Sequence, residues 1–118
     1  MKKERMGQKL VAAGIITPEQ LKIVLFRIIQ EAFTNIAKHS RAQTATLYLD
    51  QKENALVLVI SDDGAGFDPE AANSKEELNR GFGIMSMKER AELSGGNLSI
   101  DSDRGQGTII SASWPLQP

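Results

Sequence analysis

Two carboxylates and two glycines directly follow an apolar segment in the stretch SDDGAGFD, residues 61–68. Glycine loops often bind phosphate through backbone N–H groups, but a carboxylate near a triphosphate would be repelled. Asp62, at the end of a predicted strand, could instead accept a hydrogen bond from an exocyclic amine of a purine. Gly64 and Gly66 would let the backbone lie flat against such a ring, where a Cβ atom would collide. An acidic turn after a strand is the alternative interpretation of this stretch taken alone.

A polar stripe lies on the helix predicted to run from Pro18 to about His39. Glu31, Asn35 and Lys38 are four and three residues apart, so they share one face beside the apolar face. Such a stripe suits a helix that floors a ligand cavity, although a solvated helix edge gives the same pattern. Asparagine is a poor helix former, which favours a functional reason for Asn35. His39 falls on the apolar face near the helix end, where packing or an interaction with the helix dipole explains a histidine more often than catalysis does.

Two further glycine pairs follow along the chain. Gly81 and Gly83 precede a segment that we predict to be a helix beginning after Gly83. Backbone N–H groups at a helix N-terminus bind anions, so this pair is the predicted phosphate end of the site. A glycine pair before a helix is also often only a turn. Gly105 and Gly107 precede Thr108 in a predicted hairpin, where glycine is common for structural reasons.

The elements that must position these residues follow from periodicity. Thr17 is the predicted N-cap of the first helix and Pro18 its first helical residue, with Gln20 completing a capping box. Period-two patterns predict strands, and polar residues predict a mobile loop at 67–80 that could include a helical turn. The predicted strands are residues 44–50, 55–62, 97–102 and 108–114, and the second helix ends at Gly95-Gly96. This order predicts a two-layer α/β sandwich, with helices on one face of a mixed, mostly antiparallel sheet.

Composition sets further limits. The 118 residues are the size of one domain, with residues 1–16 as a lead-in segment and 17–118 as the domain proper. No cysteine is present, and the single histidine excludes a metal site built from several histidines. The net charge of −1 offers no attraction to nucleic acid or anionic membranes. No apolar run approaches the roughly 20 residues of a membrane span, and no secretory signal is seen, which indicates a cytoplasmic setting.

Four segments, in this order, resemble the ATP-binding boxes of the GHKL ATPases, which include DNA gyrase, heat-shock chaperone ATPases, MutL and sensor histidine kinases. QEAFTNIAKHS is similar to the N box, DDGAGFD to the first glycine box, GFGIMSMKERAELSGG to the second and GQGT to the third. The motifs are most similar to those of sensor histidine kinases with a short ATP lid, over residues 17–115. The resemblance implies an α+β, Bergerat-type fold and the function of an Mg²⁺-ATP-binding catalytic domain.

The resemblance also implies roles for the matching residues. Asn35 would coordinate Mg²⁺, and Glu31 would act as the catalytic group, either by orienting a metal-bound water or as a base. Asp62 would read adenine, and residues 67–80 would form the lid. The other implied nucleotide contacts are Lys38 and His39 facing the phosphates, Gly64 and Gly66 at the base, Gly81 and Gly83 cradling phosphate with Phe82 and Ile84 beside them, and Thr108 on the adenine side.

The implied reaction transfers the γ-phosphate of ATP to a histidine on a separate dimerisation domain, and then to a response regulator. His39 is the only histidine and lies within the N box, so we expect the chain alone to bind ATP as a monomer without autophosphorylating. The setting would be cytoplasmic, or the cytoplasmic part of a membrane sensor, with no membrane contact by this domain. A serine kinase or switch protein of the anti-sigma-factor type is the alternative. The N-terminal segment is separately similar to the start of type II secretion and pilus-assembly ATPases, over RMGQKLVAAGIITPEQL. We interpret this segment as an amphipathic lead-in, or as the scar of a truncation or fusion.

Overall fold

Two helices cover one face of a four-stranded sheet in the computed structural model, which describes residues 18–68 and 75–115. Helix α1, Pro18–Asn35, continues directly into a π-helical turn, Ile36–Ser40. Helix α2 is Lys75–Leu93, and the strands are β1 Ala45–Lys52, β2 Ala55–Asp62, β3 Asn97–Ser102 and β4 Thr108–Pro115. The predicted lead-in segment and the Thr17 N-cap lie outside the described residues. Neither of the described helices combines the length and apolarity needed to cross a membrane.

The sheet has the strand order β1-β2-β4-β3, and each pairing among the described strands is antiparallel. The two-layer sandwich is therefore confirmed. Alternate residues of β2 and β4 point toward the helices and form the core with the apolar face of α1, as period-two patterning requires. The largest fully buried side chains of this core are Trp114, Ile28, Leu56, Leu58, Ile60 and Met87.

The predicted hairpins are confirmed, and only their lengths differ. Strand β1 runs two residues further than expected, so that Lys52 pairs with Ala55 across a turn of two residues. Glu53 in that turn has a φ of 51°, which a non-glycine residue adopts in tight turns. Strand β1 lies at the sheet edge and is exposed along most of its length.

Helix α2 corrects one prediction, because it begins at Lys75 and not after Gly83. The segment KEELNR, predicted to belong to the lid loop, supplies residues with high intrinsic helix propensity. Gly81 and Gly83 are consequently interior helical residues, which is tolerated at about 1 kcal/mol each relative to alanine. The backbone N–H groups of this glycine pair are not at a helix N-terminus in this structure.

The end of α2 matches the prediction and is fixed by glycine. Gly95 has a φ of 92°, and its N–H donates to the carbonyl of Glu92 at 3.1 Å. The N–H of Gly96 donates to the carbonyl of Ala91 at 2.8 Å. These two bonds are the Schellman pattern, which satisfies carbonyls that the helix end would leave unpaired.

A buried serine joins this helix end to the sheet. Ser94 is 5% exposed, and its Oγ accepts a hydrogen bond from Nε1 of the fully buried Trp114 at 2.8 Å. The same hydroxyl lies 2.8 Å from the carbonyl oxygen of Arg90 and 2.9 Å from that of Ala91, to which it donates. The hydroxyl therefore satisfies the one polar group of the largest core side chain.

We predict that Ser94→Ala destabilises the protein by about 1–3 kcal/mol, because it leaves a buried indole N–H without an acceptor. Urea unfolding measures the change. The control Ser99→Ala removes an exposed hydroxyl and should stay within about 0.5 kcal/mol of the parent. In a Trp114→Phe background, Ser94→Ala should be nearly neutral, and an undiminished loss there would contradict this role.

Candidate nucleotide-binding site

A pocket lies between the C-terminal end of α1, the middle of α2 and the face of the sheet that the helices cover. It brings together four residues that the sequence singled out from distant segments: Asn35, Asp62, Ile84 and Thr108. The remaining lining residues are Ala32, Ile36, Ser40, Phe67, Ile100 and Ile110. The pocket is therefore apolar along most of its wall, and its lining also includes a carboxylate, an amide and hydroxyl groups, which is the composition expected of a small-molecule site.

Asp62 is the last residue of β2 and lines the pocket from the sheet side. Its Oδ1 accepts a hydrogen bond from the N–H of Gly64 at 2.8 Å, which fixes the carboxylate relative to the loop after β2. Thr108 stands opposite Asp62 in the β2–β4 register and is 7% exposed. The carboxylate and the threonine hydroxyl are therefore held side by side at the ends of two paired strands.

The glycines of this region are required by the protein's own packing. A Cβ at Gly64 would collide with the carbonyl oxygen of Ser40, and one at Gly66 would collide with that of Asp103. A Cβ at Gly107 would likewise collide with the carbonyl oxygen of Asp62. Gly66 and Gly107 also have φ values of 63° and 75°, a conformation that glycine adopts readily. These contacts give a structural reason for the glycines beyond the predicted approach to a base.

Ser102, which sequence reasoning did not single out, connects β3 to two segments that carry the pocket residues Phe67 and Thr108. Its Oγ accepts a hydrogen bond from the N–H of Phe67 at 3.0 Å and donates to the carbonyl of Gly107 at 3.0 Å. The Oγ1 of Thr108 lies 2.8 Å from the same oxygen. Because that hydroxyl already donates to Gly107, the hydrogen bond between the two hydroxyls runs from Thr108 to Ser102. This network orients Thr108 and anchors the buried Phe67 against the pocket.

The π-helical turn places the end of the N-box segment. Ser40 is 1% exposed and lines the pocket, and its Oγ donates to the carbonyl of Ile36 at 2.9 Å. Arg41 then adopts the left-handed conformation, with φ of 53°, and ends the helix. Lys38 is exposed and His39 is half-buried, and neither is among the residues that line the pocket. Their implied contacts with phosphate stay predictions.

Gly81 and Gly83, which were predicted to bind phosphate at a helix N-terminus, lie inside helix α2. Gly83 lies against the side chains of Glu31 and Asn35, where an added Cβ would collide with Oε1 of Glu31 and come within 3.4 Å of Nδ2 of Asn35. A Cβ at Gly81 would meet no atom within 4 Å. Phe82 is 65% exposed and does not line the pocket. Helix α2 therefore packs directly on the polar stripe of α1.

The chemistry of the donor set fits a hard cation held mainly by ligand and water oxygens. Within residues 18–68 and 75–115, no group of three or more histidine, cysteine, aspartate or glutamate side chains could hold a metal. Mg²⁺ is usually bound in nucleotide sites by one or two protein oxygens together with phosphates and waters. The amide oxygen of Asn35, with Glu31 one turn earlier, is compatible with that arrangement.

Several lining residues were missed although the sequence carried a signal for some of them. Ile100 and Ile110 pair directly across β3 and β4, and both follow from the period-two alternation of their strands. Ser40 and Ser102 carried no such signal, because their importance depends on contacts with segments distant in sequence. Phe67 lies within the SDDGAGFD motif, but its backbone contact with Ser102, 35 residues later, could not be predicted from that motif.

Comparison with known proteins identifies the family to which the chain belongs. The family of histidine kinase-, DNA gyrase B- and HSP90-like ATPases matches residues 20–118. The chain is 41% identical over 97 residues to the signal transduction histidine-protein kinase/phosphatase DegS of Bacillus subtilis (strain 168), covering 82% of this chain and 25% of that protein. It is 39% identical over 97 residues to UhpB of Salmonella typhimurium, another signal transduction histidine-protein kinase/phosphatase, covering 82% of this chain and 18% of that protein.

Solved structures show the same architecture. The mycobacterial sensor histidine kinase MprB superposes with a TM-score of 0.61 at 25% identity, over 80% of this chain and 72% of that chain. The histidine kinase domain of the blue-light-activated kinase from Erythrobacter litoralis EL346 gives a TM-score of 0.63 at 20% identity, over 85% of this chain and 46% of that chain, and supports the fold. The order of boxes, the pocket between them and these matches lead to one conclusion: the chain belongs to the family of histidine kinase-, DNA gyrase B- and HSP90-like ATPases.

Proposed function

We propose that this chain is the Mg²⁺-ATP-binding catalytic domain of a sensor histidine kinase. The observation that carries the proposal is the convergence of Asp62, Thr108 and Asn35 on one pocket with apolar walls. The chemistry of this lining suits an adenine ring, because apolar walls would cover its faces while the Asp62 carboxylate would accept a hydrogen bond from its amino group. The similarity to DegS and UhpB, named as histidine-protein kinases/phosphatases, supports the kinase over other activities of the family.

The proposed division of labour follows from charge. Asp62 reads the base and Thr108 fixes the adenine side, with Gly64 and Gly66 forming the adjacent backbone. The polyphosphate would extend toward α1, where Asn35 would hold Mg²⁺ and Glu31 would orient a water or take a proton. When bound, the cation neutralises phosphate charge, which is the main requirement of phosphoryl transfer.

We further propose that the start of α2 opens when the nucleotide binds. Gly83 packs on Glu31 and Asn35, so helix α2 covers the stripe that the phosphates would approach. The N–H groups of Gly81 and Gly83 are inside the helix and could meet phosphate only after the turns from Lys75 to Gly83 unwind. Phe82 and Ile84, and the side chains of Lys38 and His39, would then border the phosphates.

The proposal extends to partners by way of the relatives. The γ-phosphate would go to a histidine on a dimerisation domain and then to a response regulator, in a cytoplasmic setting, either free or as part of a membrane sensor. Residues 17–118 would form the catalytic domain, preceded by the lead-in 1–16. The domain would be a monomer that contacts neither nucleic acid nor membrane. The chain spans 25% of DegS and 18% of UhpB, so partners of a complete histidine kinase are only proposals for this chain.

Phosphotransfer tests the kinase function. With radiolabelled ATP and Mg²⁺, we expect the chain to label a separately supplied histidine-bearing dimerisation domain, and not itself. Asn35→Ala should lower labelling by at least about tenfold, because the proposed metal ligand is lost. Asn97→Ala, on the outer face of β3, is the matched control and should keep full activity. Labelling by Asn35→Ala at the parent rate would refute the metal assignment, and labelling of a serine-bearing partner alone would refute the histidine kinase.

Adenine recognition is tested by calorimetric titration with Mg²⁺-ATP. Asp62→Ala should weaken binding at least about tenfold, since each tenfold corresponds to ~1.4 kcal/mol and a charge-assisted hydrogen bond supplies about that much. Asp101→Ala removes an exposed carboxylate from the opposite face of the sheet and should leave the affinity unchanged. Equal affinities for the parent and Asp62→Ala would show that the base is bound elsewhere.

Opening of α2 is tested by stabilising the closed helix without a collision. The Cβ atom added by Gly81→Ala would have no neighbour within 4 Å, so the substitution should stabilise the helix by about 0.5–1 kcal/mol. If the helix must unwind, ATP affinity should fall about two- to fivefold while the melting temperature rises. Ser86→Ala raises helix propensity beyond the opening segment and should not alter ATP affinity. Unchanged or tighter binding by Gly81→Ala would contradict unwinding.

A further inference from the structure

The second carboxylate of the DDG motif makes contacts that the proposed function does not use. Asp63 is exposed and is not one of the residues lining the pocket. Its Oδ1 accepts two backbone hydrogen bonds, from the N–H of Gln43 at 2.9 Å and from that of Thr44 at 3.0 Å. Its own N–H donates to the carbonyl of Thr44 at 3.2 Å. A single residue thus holds the chain entering β1 through both its side chain and its backbone.

A second contact lies on the other side of Gly64. The N–H of Ala65 donates to the carbonyl of Ser40 at 2.6 Å. Ser40 in turn binds the N–H of Ala42 through its Oγ at 3.1 Å. The loop after β2 is therefore attached to residues 40–44 at two points, with Gly64 packed between them. We name this group of contacts, residues 40–44 with 63–65, the strand-end clamp.

The strand-end clamp joins the two halves of the candidate site. Residues 40–44 begin at the last residue of the π-helical turn that continues α1, so their position depends on the helix that carries Asn35. Asp62 forms the last pair of the β1–β2 ladder, opposite Ala45, and beyond it the loop is held to this segment by Asp63 and Ala65. A shift of the clamp would therefore move the Asp62 carboxylate relative to the pocket wall formed by α1.

We propose that Asp63 is a positioning residue for base recognition, acting through Asp62 without touching the nucleotide. Two backbone N–H groups converge on one of its oxygens, so the requirement is for an acceptor at that place and not for a negative charge in the pocket. Asparagine presents a carbonyl oxygen at the same distance along the side chain and meets that requirement. Glutamate keeps the charge but moves the acceptor by one methylene group. This inference rests on the proposed adenine site.

The test is the preference of the full chain for ATP over GTP, measured by calorimetry or by competition with a fluorescent ATP analogue. Asp63→Ala should lose at least about fivefold of that preference, because a displaced Asp62 no longer distinguishes an amino group from a carbonyl. Asp63→Asn should keep the preference within about twofold, and Asp63→Glu should lose it as alanine does. Asp50→Ala is the matched control, since exposed Asp50 accepts the N–H of Gln51 at 2.8 Å in the half of β1 away from the clamp.

The outcomes separate this inference from the function it rests on. If the parent shows no preference for ATP over GTP, the adenine site itself is wrong. If the parent and Asp50→Ala prefer ATP, and Asp63→Ala weakens both nucleotides equally, Asp63 serves stability alone and the inference fails. It also fails if Asp63→Glu retains the preference or Asp63→Asn loses it. Loss in alanine and glutamate with rescue by asparagine supports positioning, a pattern that a general loss of folding does not produce.

Discussion

Three segments of main chain approach one another at the strand ends more closely than a Cβ atom allows, and the site depends on this approach. Gly64 contacts Ser40, Gly66 contacts Asp103 and Gly107 contacts Asp62, in each case through a carbonyl oxygen. Any side chain at these positions would separate the β2 loop from the helix end or from the β3–β4 turn. Because Asp62 lies at the centre of these contacts, the direction of its carboxylate is set by backbone packing before any ligand is considered.

Much of this architecture could be predicted because its causes are local. The apolar period of α1, the alternation in the four strands and the glycine pair after Leu93 each identify an element from neighbouring residues alone. The position of Asp62 directly after an alternating segment placed it correctly at a strand end. That Asp62 lies close to Asn35 and Thr108 could not be predicted from local patterns, because it depends on the fold. The resemblance to the ATP-binding boxes supplied that fold.

The features that were not predicted depend on opposing helix propensities of neighbouring residues or on contacts between segments distant in sequence. Gly81 and Gly83 are poor helix residues, so they indicated a helix start, whereas the preceding KEELNR carries the helix through them. Helix propensity and the proposed phosphate binding would make opposite demands on this segment, because propensity favours a continuous helix whereas phosphate binding would need free N–H groups. Ser40, Asp63 and Ser102 have no local signature, since each owes its place to partners elsewhere in the chain.

The π-helical turn at Ile36–Ser40 has a consequence for how this chain can vary in length. A π-helical turn accommodates one residue more than an α-helical turn, so removing one residue there would restore regular spacing and rotate the next segment of the chain by about 100°. The carbonyl of Ser40 would then no longer face Ala65. Insertions and deletions should thus be excluded from residues 36–44, while the exposed turn at Glu53 and Asn54 can accept them. Homologues that differ in length would differ at the hairpin and keep the helix exit at a fixed number of residues.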